Sequence, residues 1–163
     1  MMLQRRLGLF GISISWLALD LATKHYVQEW LAKVTVVNWF EGFRFILVYN
    51  QGAAFGFLGS AGGWQRFFFI ALAILVTLYL AWRLWLAHPG EQRFNIGLSF
   101  ILGGAIGNMI DRINHGHVVD FIDVYVGRWH WPAFNVADIA IVLGAAIVIA
   151  DSFGIGRSSG KAK

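Results

Sequence analysis

Four apolar runs, at 8–27, 66–86, 94–113 and 133–153, limit what this chain can fold into. Each is long enough to cross a bilayer as a helix, which takes about 20 residues at about 1.5 Å per residue. Hydrocarbon offers no hydrogen-bond partners, so the backbone of such a run must satisfy itself. Composition agrees: 58% of residues are hydrophobic and 13% charged, against an apolar share of about 45–50% in soluble domains. The expected fold is an all-α membrane protein with four transmembrane helices in a single domain, 1–163. Loops at 28–65 and 114–132 lie on one side, and a short turn at His88–Glu91 and a basic tail at 154–163 on the other.

Arg5 and Arg6 before the first run imitate a signal peptide. No small-x-small cleavage site follows it cleanly, and the run is long enough to span, so it is read as a helix that stays. An even number of spans puts both termini on one side, with seven Lys and Arg there and six on the other. The seven lie in much shorter segments, which places both termini in the cytoplasm and the two loops outside. The net charge of +4 is dispersed over helix ends, which suits lipid headgroups and topology and argues against nucleic acid. Cysteine is absent, so no disulfide or thiolate metal site exists.

Within 28–65, Val34–Val37 and Phe43–Tyr49 are rich in β-branched and aromatic residues and read as short strands. The Gly- and Ala-rich stretch from Asn50 to Phe57 lets a backbone approach closely. In the third run, Gly103 and Gly107 form a small-xxx-small pair for close helix contact. Asp20 and Lys24 share a face of the first helix, a spacing that suits a snorkelling lysine with a local partner. Asn108 and Arg112 share a face of the third, with Asp111 beside them as a plain ion-pair partner for Arg112.

Chemistry concentrates between Gly116 and Asp138. Asp120 and Asp138 stand at the two rims of what reads as an irregular loop, with Asp138 about two turns into the last helix. Carboxylates at a bilayer edge are costly to keep and point to function. Two that share a site hold one proton between them, because one pKa rises strongly. The ionised member takes a proton from water while the protonated one polarises a carbonyl, which is general acid–base hydrolysis of an amide. Asp123 rivals Asp120; in an extended segment the two point to opposite faces, so only one meets Asp138. His115, His117 and Asp120 have spacings a metal site can use, but no regular element presents them. Gly-x-Ser-x-Gly and His-Glu-x-x-His are both absent, against serine and zinc peptidases. A small proton-coupled transporter or channel is the alternative, and a membrane scaffold the third; relay groups near mid-bilayer would favour the transporter.

Five motifs stand in order along the chain: Asp20-Leu21-Ala22-Thr23-Lys24, Tyr49–Phe55, Gly104–Arg112, Val118-Val119-Asp120-Phe121 and Phe134-Asn135-Val136-Ala137-Asp138. Together they resemble the bacterial lipoprotein signal peptidase (signal peptidase II) family of aspartic endopeptidases. The resemblance implies a catalytic dyad of Asp120 and Asp138. It implies binding or supporting roles for Asp20, Lys24, Asn50, Gly52, Asn108, Asp111, Arg112, Asn135 and Ala137. The implied substrate is a diacylglyceryl-modified prolipoprotein, cut just before the lipidated cysteine in the bacterial inner membrane, with globomycin-type inhibitors in the same groove. Its acyl chains would lie among membrane lipids and helices. By the same resemblance the strands form a small extracytoplasmic β-rich cradle over the site. No metal or organic cofactor is implied, and a monomer is expected.

Overall fold

The computed structural model describes residues 2–52 and 63–155. Helix α1 (Met2–Leu31) leads into strands β1 (Val36–Phe40) and β2 (Phe43–Asn50). Helix α2 (Trp64–Trp85), a 3-10 turn at Pro89–Glu91 and α3 (Gln92–His115) follow, then β3 (Val118–Val126), β4 (Trp129–His130) and α4 (Val136–Ser152). Among the described residues, three segments are long and apolar enough to cross a membrane: α1, α2 and Pro89–His115.

Helix α1 runs beyond the expected 8–27 because its last turns have something to cover. Val27 and Leu31 are buried against Phe121 and Ile122, and the Trp30 ring meets Phe45 at 5.6 Å. Helix α4 starts later than expected. Phe134 is held out of it by a bridge to Ile122, and Asn135 is extended and caps the helix. Asp138 therefore lies in the first turn of α4, not two turns in. Pro132 precedes the helix and is no part of it.

The four strands form one antiparallel sheet in the order β1-β2-β3-β4. Strand β3 replaces the irregular loop expected at 114–132. Its acids, poor strand formers on propensity, hid a run otherwise rich in Val, Ile, Phe and Tyr. The β2–β3 register sets Val48 opposite Asp120 and Arg44 opposite Asp123. At Phe121 and Ile122 both N–H groups donate to the Phe134 carbonyl, at 3.0 and 2.9 Å. Both side chains enter the same core cluster, as neighbours in a regular strand do not. Strict alternation is thus lost between Asp120 and Asp123, and it is their partners that separate them.

Helix α3 is central and contacts α1, α2 and α4. Its glycines allow this. A Cβ on Gly103 would strike the Ser13 carbonyl of α1, one on Gly107 the Asp20 carboxylate, and one on Gly104 the Ala137 carbonyl of α4. Gly104→Val is expected to lower stability by about 1–3 kcal/mol, the usual effect of overpacking. A thermal midpoint in detergent equal to that of the parent protein would refute this close approach.

Candidate active site

The site is built outward from Lys24, which is 2% exposed. An ammonium has three donors and no acceptor; its nitrogen donates to Asn108 Oδ1 at 3.0 Å and forms ion pairs with Asp20 Oδ2 at 2.7 Å and Asp111 Oδ2 at 2.9 Å. The expected snorkelling lysine is thus a buried hub, and Asp111 pairs with it. The other Asp20 oxygen accepts the Ala137 N–H at 2.8 Å. It thereby caps the first turn of α4 from α1, where a carboxylate also meets the positive end of the helix dipole. Asp111 Oδ2 accepts the Val119 N–H at 3.1 Å and ties α3 to β3.

Lys24 also decides which way an amide points. Because it can only donate, Asn108 must turn its oxygen toward it, and Asn108 Nδ2 then donates to Asp138 Oδ1 at 2.9 Å. Asn135 Nδ2 donates to Asn108 Oδ1 at 3.2 Å and to Asp120 Oδ1 at 2.7 Å. Asn135 Oδ1 accepts the Asp138 N–H at 2.9 Å, and Asp138 Oδ2 accepts the Asn135 N–H at 3.2 Å. That reciprocal pair is a capping box. The asparagine that caps α4 and pairs with Asp138 also holds Asp120 through its Nδ2, so one residue joins both aspartates.

The same logic operates on the other flank. Asn50 Oδ1 accepts the Gly52 N–H at 3.0 Å, so Asn50 Nδ2 faces Asp120 Oδ2, also at 3.0 Å. Arg112 donates to the carbonyls of Gly52 at 3.0 Å and of Asn108 at 3.3 Å. Burial, and then the charge of Asp138, push the Asp120 carboxyl up to about 7, against the opposing donors Asn50 and Asn135 and the charge of Lys24. Both aspartates open into a groove of about 990 Å³. Its lining combines polar Asn50, Gly52 and Arg112 with apolar Phe134, Ile139 and Val142.

All eleven residues to which the resemblance gives a catalytic or supporting role meet in this network or on the groove. Asp123 does not join them: its carboxylate takes Arg44 Nε at 2.5 Å and His130 Nδ1 at 2.9 Å. His115 Nδ1 stands 4.0 Å from Asp111, and the His117 ring lies 4.5 Å from Tyr49. Burial and the nearby His115 lower the His117 pKa. Among the described residues no group of three metal-binding side chains is placed to hold an ion. The Ala53–Phe57 part of the small-residue stretch lies outside the described residues. Sequence reasoning missed Arg66, which donates to the carbonyls of Arg112 at 3.1 Å and Ile113 at 2.8 Å and so satisfies the last turn of α3, which ends at the left-handed Gly116. No spacing could have paired residues on different helices in this way.

Residues 12–154 match the family model described as Signal peptidase (SPase) II. The chain belongs to the signal peptidase II family. Among relatives named lipoprotein signal peptidase, that of Alteromonas mediterranea is 45% identical over 91% of this chain and 83% of its own. The one from Burkholderia thailandensis is 48% identical over 86% and 84% respectively. The one from Cupriavidus taiwanensis is 56% identical over 67% of this chain, and this match spans 61% of that relative's length. A solved structure described as a bacterial membrane enzyme, determined by the in meso method, superposes with a TM-score of 0.75 at 25% identity. It covers 96% of this chain and 93% of its own. Signal peptidase II relatives and a membrane-enzyme fold thus converge on one chain.

Proposed function

We propose that this protein is an aspartic endopeptidase that removes the signal peptide from diacylglyceryl-modified prolipoproteins, cutting just before the lipidated cysteine. One observation carries the reading: Asn135 holds Asp120 and Asp138 together at a groove whose lining includes apolar Phe134, Ile139 and Val142. A peptide needs the first feature for chemistry, and an acyl-bearing residue needs the second for binding.

Both aspartates accept two N–H groups, so their surroundings divide the roles: burial and the neighbouring charge favour the proton on Asp120, which leaves Asp138 as the base. It takes a proton from a water as the water oxygen bonds to the scissile carbonyl carbon. Protonated Asp120 gives its proton to the carbonyl oxygen, forming a neutral gem-diol. Asp138 then passes its proton to the amide nitrogen, the C–N bond breaks, and Asp120 recovers its proton from the gem-diol. No metal or organic cofactor enters.

Four crossings place this chemistry, with α4 as the fourth: its 17 residues rise about 25 Å at about 1.5 Å each, close to the hydrocarbon thickness. Both termini lie in the cytoplasm and the dyad near the outer surface of the bacterial inner membrane. The substrate's acyl chains reach the groove from the surrounding lipid, and globomycin-type inhibitors occupy the same groove. One chain supplies the whole site, which suits a monomer.

The test is a gel-shift cleavage assay with purified protein in detergent and a diacylglyceryl-modified prolipoprotein. A shift is expected; none from folded protein on authentic substrate would refute the reading and turn attention to proton flux in liposomes. A pH profile checks the acid. Because protonated Asp120 is the donor, kcat/KM should fall as pH rises through about 7. Asn50 favours the ionised form by donating to it, so Asn50→Ala should move that limb to higher pH. An unmoved limb, or one moved lower, would count against Asp120 as the acid.

A further inference from the structure

Asp123 is a buried acid that the proposed chemistry leaves unused; its side chain is 3% exposed. Three strands meet in its carboxylate. Arg44 comes from β2 at 2.5 Å, Asp123 itself from β3, and His130 from β4, whose Nδ1–H donates at 2.9 and 3.0 Å. Tyr125 closes the cluster, with its ring stacked on His130 at 5.0 Å and the Arg44 guanidinium over its face at 5.3 Å.

What this cluster holds matters because of what comes next in the chain. Strand β4 has two residues, Trp129 and His130, and so short a strand is weak alone. Directly after it, Trp131 to Phe134 line the groove that contains the dyad. Backbone bonds at either end tie this wall to β3, among them Trp131 N–H to Val124 O at 2.8 Å and Phe134 N–H to Ile122 O at 3.1 Å. The only side-chain tie on β4 is His130 to Asp123 among the hydrogen bonds described. The dyad has other supports, since Asn50, Asn108 and Asn135 hold it on its own side.

We infer that Asp123, Arg44 and His130 are positioning residues, whose shared buried carboxylate fastens β4 to the sheet and sets the Trp131–Phe134 wall against which substrate binds. Releasing the wall weakens binding of ground state and transition state alike. That raises KM and leaves kcat in place. The kinetic half of this inference rests on the endopeptidase reading; the wall itself can be followed without it.

The experiment measures cleavage of a diacylglyceryl-modified prolipoprotein together with amide hydrogen exchange in detergent. Asp123→Ala and His130→Ala should each raise KM about fivefold with kcat within about twofold of the parent. The double variant should be no worse than the more affected single, because both remove one contact. Arg44→Lys, which keeps the charge, should raise KM less than Arg44→Ala. Exchange at Trp131 and Phe134 should quicken while α4 stays protected. A drop in kcat at unchanged KM, or variants matching the parent in both KM and exchange, would overturn the inference. If the parent protein cleaves nothing, the functional reading fails and exchange alone decides: quickening supports the fastened wall, and no change sinks it. Should Asp123→Ala not accumulate folded, Asp123→Asn, which keeps size and one acceptor, takes its place.

Discussion

Asp138→Asn is expected to lower kcat about a thousandfold with the fold retained, and Asp120→Asn to do the same, since each removes one half of the acid–base exchange. Asparagine keeps the size of the side chain and one acceptor oxygen. An amide at position 138 can still accept from Asn108 or from the Asn135 N–H, but it cannot take a proton from water. An amide at position 120 cannot give one to the carbonyl oxygen. Asp123→Asn is the internal control: its partners are Arg44 and His130, so the chemical step should survive. Gel-shift cleavage of a lipidated prolipoprotein reads activity, and circular dichroism with size exclusion reads the fold. Either dyad variant retaining more than about a tenth of parental kcat would remove that aspartate from the chemistry.

How far the sequence alone reached depends on the kind of signal. Apolar runs announced the helices because hydropathy is local, although not their ends. Helix α1 overran its apolar stretch, since Val27 and Leu31 found cover on a sheet that lies far along the chain. Helix α4 started late because Phe134 was captured by Ile122. Strand β3 went unread because Asp120 and Asp123 broke its apolar pattern, and only their cross-strand partners make them tolerable there. At the site, residue types were legible and directions were not. Spacing left Asp120 and Asp123 as equals; the motif Val118-Val119-Asp120-Phe121 favoured the first. The geometry separates them by partner: Asn135 and Asn50 for Asp120, Arg44 and His130 for Asp123. That Asp20 would cap α4, or that Lys24 would orient Asn108, was invisible in the sequence, because those contacts join residues 117 and 84 positions apart.

Lys24→Met should unfold a large share of the protein, with a loss of about 3–5 kcal/mol, the usual result of breaking a buried ion pair from one side. Methionine fills nearly the same volume, so packing is not the cause. It leaves Asp20 and Asp111, both nearly sealed from solvent, without their shared cation. It also removes one of the two donors to Asn108 Oδ1, leaving Asn135 Nδ2 alone to hold the amide whose N–H meets Asp138. Folded Lys24→Met molecules should therefore cleave more slowly as well. Lys24→Arg should rescue little, because a planar fork does not reproduce three donors splayed from one nitrogen. The discriminating variant is the triple, Lys24→Met with Asp20→Asn and Asp111→Asn. It removes all three charges together, so it should regain much of the lost thermal midpoint in detergent. It should not regain full activity, because nothing in it restores the Lys24 donor to Asn108. A single Lys24→Met variant as stable as the parent would show that the triad carries no net stabilisation. A stable but slow variant would show that its part is to aim the amide at Asp138.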